Sequence, residues 1–307
     1  RGSGSRREHL HAAGRAQSRH RLDDLAHRVA PWGRWDDLVV PAASVDRLRD
    51  VIDHMHHRET VFVDWGLGHK VAVWRRVTAL FAGPPGTGKT LSASLVAQAL
   101  GLDLFRIDLS GVVSKYIGET EKNLDRVFRA AHRSNAILFF DEADSLFGKR
   151  TEVKDAHDRY ANVETAYLLQ KLESFEGLAI LATNFKKNID AAFLRRIDIV
   201  VDFPMPGRDE RRRLWRALLP AAMPLAGDVD LDFLADRFEL AGGHIMNAIR
   251  CAATRAAATG QSVGMAPLLR GVRDELHKQG KLVSRDDLGA YAALLDAAEP
   301  SAARRER

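Results

Sequence analysis

A single cysteine, Cys251, stands in 307 residues, which excludes an internal disulfide and the stapled architectures of small oxidised domains. A reducing, cytoplasmic setting is the expectation, with Cys251 packed in an Ala-rich helix. Long apolar runs are equally lacking: none approaches the ~18 residues that a helical membrane span needs. There is no internal repeat, no Cys/His spacing of a zinc site, no helix-turn-helix signature and no RNA-binding aromatic pair. Neither sign of charge dominates. Lys+Arg number 46 against 41 Asp+Glu, a net +5, compatible with a nucleic-acid partner without favouring one. Arg1, Arg6, Arg7, Arg15, Arg19 and Arg21 crowd the start and Arg304, Arg305 and Arg307 the finish, the pattern of solvated ends.

What is present is an ordinary globular composition, 46% hydrophobic and 28% charged, long enough for a substantial core and for two domains. The opening RGSGS reads as a linker, so residues 1–33 are expected to connect to a domain upstream of this sequence. Leu22, Leu25, Ala26 and Val29 predict an amphipathic helix over 17–29, ended by Pro31. A second helix is expected from Val45 to about His57 with Ser44 as its N-cap. Its His54, His56 and His57 read as a solvent-facing cluster rather than metal ligands, because two are adjacent and no cysteine is near.

From Val77 onward, apolar runs alternate with helical segments, the text of a parallel sheet covered on both faces. The runs are Val77 to Ala82, Leu104 to Leu109, Ala136 to Phe140, Ala179 to Ala182 and Ile199 to Phe203. The expectation is an α/β fold: a five-stranded parallel sheet between helices over 34–204, with its ligand at the carboxyl ends of the strands. After Pro204 and Pro206 the pattern turns helical, at about 208–219, 230–237, 243–259 and 265–279. That predicts a small α-helical domain over 205–284 and a tail over 285–307.

GPPGTGKT, Gly83 to Thr90, follows the first strand and opens a helix. Gly83, Gly86 and Gly88 let backbone amides turn inward around a polyphosphate, and the helix N-terminus favours the same charge. Pro84, Pro85, Gly86, Thr87, Gly88, Lys89, Thr90 and Leu91 are therefore expected to bind the nucleotide. Lys89 would reach the β- and γ-phosphates, and the Thr90 hydroxyl would complete a magnesium shell. Asp141 and Glu142 follow the third strand: Asp141 to hold Mg2+, Glu142 to orient and polarise water. An acidic helix cap is the alternative for either acid alone. Asn184, after the fourth strand, could bond the γ-phosphate or the lytic water; otherwise it is a turn residue. Arg195 and Arg196 end a short helix, where they could complement its C-terminus or reach the phosphate of a neighbouring subunit.

Together GPPGTGKT, ILFFDEAD, ILATN and AFLRRID resemble the Walker A, Walker B, sensor-1 and arginine-finger elements of the classical clade of AAA+ ATPases, over roughly Trp35 to Gly280. WDDLVVP resembles the family's opening segment, and Asp64 to Leu67 occupies the place of its adenine-contacting loop. AGGHIMN resembles the segment that contacts base and ribose, which implicates Gly242 and Gly243. The resemblance implies ATP and Mg2+ as cofactors, strand order 5-1-4-3-2 and a homo-hexameric ring. Two departures stand out: Arg195 and Arg196 are adjacent where relatives often place Pro-Gly between them, and His244 replaces a lid arginine.

SKYIGETEKNL, Ser114 to Leu124, lies where the family carries its pore loop, with Lys115, Tyr116, Ile117 and Gly118 matching the aromatic-aliphatic-glycine pattern. An aromatic on a short hinged loop can grip extended polypeptide without reading sequence, so a protein substrate is implied; a nucleic-acid-dependent motor or loader and a nucleotide-gated assembly scaffold are the alternatives. A tyrosine packed on the sheet is the alternative. The charged stretch Gly148 to Tyr160 reads either as a second ring of channel contacts or as an ordinary loop. VVSKYIGETEKNLDRVFRAA, FGKRTEVKDAHDRYANVE and AAFLRRID further resemble bacterial AAA ATPases of extracellular contractile injection systems.

Overall fold

A computed structural model describes residues 26–70, 75–107, 119–143, 166–184 and 191–296. Contacts divide it into two compact units. The first holds the described residues of Arg1–Pro84 and Lys89–Phe203, the second Pro85–Gly88 with those of Pro204–Arg307.

The first unit is built on six strands: β1 His27–Val29, β2 Val77–Ala82, β3 Leu104–Ile107, β4 Ile137–Phe140, β5 Leu178–Thr183 and β6 Ile199–Asp202. They lie in the order β1-β3-β4-β5-β2-β6. Counted from Val77, the five parallel strands reproduce the expected 5-1-4-3-2 order. The sixth is an addition. β1 pairs antiparallel with β3, Val29 opposite Leu104 and His27 opposite Arg106, so residues 27–29, read from periodicity as a helix end, are an edge strand. Arg28 clasps it in place by donating from Nε and Nη2 to Asp103 Oδ1 at 3.2 and 2.7 Å.

β2, β4 and β5 are buried along their whole length, the condition of parallel strands covered on both faces. One face carries Phe105, Ile107, Leu138, Phe140 and Leu181. Against it pack Val127 and Phe128 of α3 (Glu119–Ser134) and Leu168 and Leu172 of α4, helical at 166–174. Asp125 joins the two helices, accepting from Tyr167 Oη at 3.0 Å and pairing with Lys171 at 2.5 Å. The other face carries Ala79, Phe81, Leu104, Ile137, Phe139 and Ile180 under α1 (Ala42–Glu59) and α2 (Lys89–Leu100).

α1 begins earlier than the sequence suggests. Its N-cap is Pro41, and Ser44 is buried inside the first turn, where its Oγ donates to the Asp202 carbonyl at 2.6 Å and ties α1 to β6. His54, His56 and His57 are exposed, as expected. Among the described residues no group of three or more His, Cys, Asp or Glu could hold a metal ion, and no helix is long and apolar enough to cross a membrane.

After α5 (Ala191–Leu194), the second unit runs α6 Arg208–Leu218, α7 Leu231–Arg237, α8 Gly242–Thr259, α9 Met265–Lys278, α10 Arg285–Leu288 and α11 Ala292–Asp296. Asp230 caps α7 by accepting from the Phe233 amide at 2.9 Å, and Gly260 ends α8 in the left-handed conformation. Arg211 is buried, and its guanidinium donates to the carbonyls of Ala235 and Pro206 at 2.8 Å each. α8 and α9 meet backbone to backbone: a Cβ on Gly271 would lie 2.5 Å from the Ala248 carbonyl oxygen.

Candidate functional site

The loop after β2 is shaped by its glycines, one for space and two for backbone conformation. A Cβ on Gly83 would lie 1.9 Å from the carbonyl oxygen of Phe203, and the Gly83 amide donates to the Thr183 carbonyl at 3.1 Å. Gly86 and Gly88 have φ of +77° and +104°, the left-handed region that other residues enter at a cost. α2 then begins at Lys89, so the next amides point back at the loop.

Lys89 is 8% exposed, and its ammonium donates to the carbonyls of Gly83 and Pro84 at 2.5 and 2.9 Å and to Asn184 Oδ1 at 3.0 Å. The predicted lysine, loop and asparagine are thus in direct contact. Thr90 follows in the first turn of α2, half-buried, and Leu91 packs into the face beneath the helix.

β4 delivers the two acids. Asp141 Oδ1 accepts from the Glu142 amide at 3.1 Å, and Oδ2 pairs with the Arg106 guanidinium at 3.0 Å. Glu142 is exposed with φ of 54°, a conformation non-glycine residues seldom adopt and which concentrates at functional sites. The Ala143 amide donates to the Ala182 carbonyl at 2.8 Å, which fixes the chain's exit beside β5. Thr90 and Asp141 offer hard oxygen donors, a hydroxyl and a carboxylate, the ligand chemistry that suits Mg2+.

Arg195 and Arg196 follow α5. Arg195 is exposed, whereas Arg196 donates from Nε to Glu173 of α4 and its amide bonds the Phe193 carbonyl at 2.9 Å.

In the second unit the loop tip and α8 meet glycine to glycine. The Gly243 amide donates to the Gly86 carbonyl at 2.9 Å, and a Cβ on Gly243 would lie 3.0 Å from the Gly86 Cα. Gly242 opens α8. His244 follows, its Nδ1 buried with no hydrogen-bond partner among the described residues. Burial holds its pKa below the ordinary histidine value, against the opposing pull of Glu275. Glu275 is itself buried, paired with Lys278 and within 3.4 Å of Asn247 Nδ2.

Lys115, Tyr116, Ile117 and Gly118, and the stretch Gly148 to Tyr160, lie outside the described residues. Sequence reasoning missed Arg106. Its one signal was a charge inside an otherwise apolar strand, with no spacing to link it to Asp141.

Comparison with known proteins gives a match to the family "ATPase family associated with various cellular activities (AAA)" over residues 79–205. The chain is 34% identical over 183 residues to an uncharacterized AAA family ATPase, y4kL, of Sinorhizobium fredii, covering 60% of this chain and 53% of that one. It is 34% identical over 222 residues to the 26S proteasome regulatory subunit 6B homolog of Aspergillus niger, covering 70% and 48%. With the katanin p60 ATPase-containing subunit A1 of Strongylocentrotus purpuratus the identity is 30% over 258 residues, covering 73% and 48%. The chain spans about half the length of these relatives.

Proposed function

We propose, from the premise that residues 79–205 are an AAA domain, that the chain hydrolyses ATP as one subunit of a homo-hexameric ring and spends that energy on remodelling a protein. The observation that carries this reading is the Lys89 ammonium held within the loop at 3.0 Å from Asn184, because a loop lysine and a strand-end amide at one point are what a γ-phosphate requires. Pro84 to Leu91 would hold the polyphosphate, and Gly242 and Gly243 the base and ribose. Thr90 and Asp141 would hold Mg2+, which when bound neutralises charge on the phosphate oxygens.

The chain's own residues then divide the work. Glu142 orients water and takes its proton, and Asn184 bonds the γ-phosphate or that water without adding charge. One of Arg195 and Arg196 supplies positive charge to the site of the next subunit, and Lys115, Tyr116, Ile117 and Gly118 grip substrate. The relatives support the protein-remodelling side, since their names include katanin and a proteasome regulatory subunit. The resemblance to ATPases of contractile injection systems points to an assembly, remodelling or sheath-related duty inside the producing cell.

Glu142→Gln tests the reading. The variant is expected to bind ATP and assemble normally while steady-state turnover falls by about 10²- to 10⁴-fold, the usual worth of a positioned base. Undiminished phosphate release would reject the assignment.

A further inference from the structure

β3 is buried at three of its four positions and exposed at Arg106. Strand alternation decides where that residue belongs. Leu104, Ile137 and Phe139 share the face beneath α1 and α2, while Phe105, Ile107, Leu138 and Phe140 share the opposite one. Two residues beyond Leu104, Arg106 therefore stands on the α2 side, and Asp141, two beyond Phe139, stands on the same side. Register aligns Arg106 with Phe139, which brings the guanidinium within 3.0 Å of Asp141 Oδ2. The other oxygen already accepts the Glu142 amide. Both oxygens of the carboxylate assigned to Mg2+ are thus engaged within the protein.

We propose that Arg106 is a positioning residue, an internal counter-cation that aims the Asp141 carboxylate and competes with divalent metal for it. It thereby sets how much Mg2+ the nucleotide site needs. This rests on the ATPase reading given above. The physical case is direct. A guanidinium at contact distance occupies one lone pair of Asp141 Oδ2 and offsets its negative charge, so a metal ion meets a weaker ligand there and up to the worth of the ion pair is set against metal binding. The Arg106 side chain is 49% exposed and that of Asp141 22%. Such a pair is worth up to about 1 kcal/mol, or roughly fivefold in affinity. The arrangement has a further use. Asp141 and Glu142 are adjacent acids, and a resident cation lowers their appetite for stray divalent ions when no triphosphate is there to share the charge.

The test uses the full chain and a fluorescent ADP analogue at fixed concentration, titrated with Mg2+ and, separately, with the analogue in EDTA. Thermal unfolding of each variant checks that it is folded. Arg106→Gln is expected to lower the Mg2+ midpoint by about two- to fivefold and to leave metal-free affinity unchanged. Arg106→Lys, which keeps the charge but not the planar fork, is expected to fall between the variant and the wild type. A midpoint in Arg106→Gln equal to or above that of a binding wild type overturns the role of Arg106 and leaves the ATPase reading standing. Loss of metal-free affinity would also overturn it, since Arg106 would then be a contact of the nucleotide itself. A wild-type chain that holds no analogue under either condition removes the ATPase reading and this inference together.

Discussion

His244 illustrates how one side chain ties stability to pH. In an unfolded chain it would titrate near 6.5, whereas burial lowers that value in the folded protein, opposed by Glu275 and reinforced by Lys278 and Lys281. Between the two values the unfolded chain binds more protons, so stability falls as pH falls. The cost is absent above about pH 7 and grows as pH drops through about 6.5 toward the folded value. Wild type is therefore expected to lose more thermal stability than His244→Gln between about pH 7.5 and 5.5; equal losses would count against a half-buried, neutral imidazole. Among single residues, Gly83, Lys89 and Asn184 were legible in the sequence because their chemistry comes with fixed spacing or with order along the chain. Arg106 and the backbone of Glu142 were not. The first depends on a register across two strands, the second on a turn that the bond from the Glu142 amide to Asp141 closes.

Elements show the same division. The five parallel strands could be read from apolar runs because burial on both faces leaves no polar alternation to confuse with a helix. β1 could not. Leu22, Leu25, Ala26 and Val29 fit a helical period, but residues 27–29 take their conformation from pairing with β3, a tertiary effect that outweighs local preference. Ser44 was misjudged for a related reason: its hydroxyl donates to the distant Asp202 carbonyl, whereas an N-cap serine would accept from an amide of the first turn. The clasp on β1 can be tested. Arg28→Ala removes a half-exposed pair worth at most about 1 kcal/mol, so hydrogen exchange should quicken in β1 while β2 amides keep their protection. Equal acceleration in both strands would mean that the edge opens only with the core.

At the scale of the whole molecule, the change of pattern at Pro204 announced a second unit, and the four helices expected there are present. The grouping of Pro85–Gly88 with that unit was hidden, since it arises from the approach of Gly243 to Gly86, more than 150 positions apart in the chain. Subunit mixing tests the proposed ring. Lys89→Ala chains combined with whichever of the Arg195→Ala and Arg196→Ala chains proves inactive alone should regain turnover if that arginine serves its neighbour's nucleotide; demonstrated co-assembly without any recovery would argue against it. Gly271 bears on how firmly the helical unit holds its parts together. At Gly271 the backbones of α8 and α9 touch with no side chain between them, and the Asn247–Glu275 and Arg255–Asp274 contacts pin the same two helices. The bond from the Gly243 amide to the Gly86 carbonyl fastens the loop tip to α8, and the close contact at Gly271 leaves α9 little room to repack against it, so the tip is anchored to a pair of helices rather than to one.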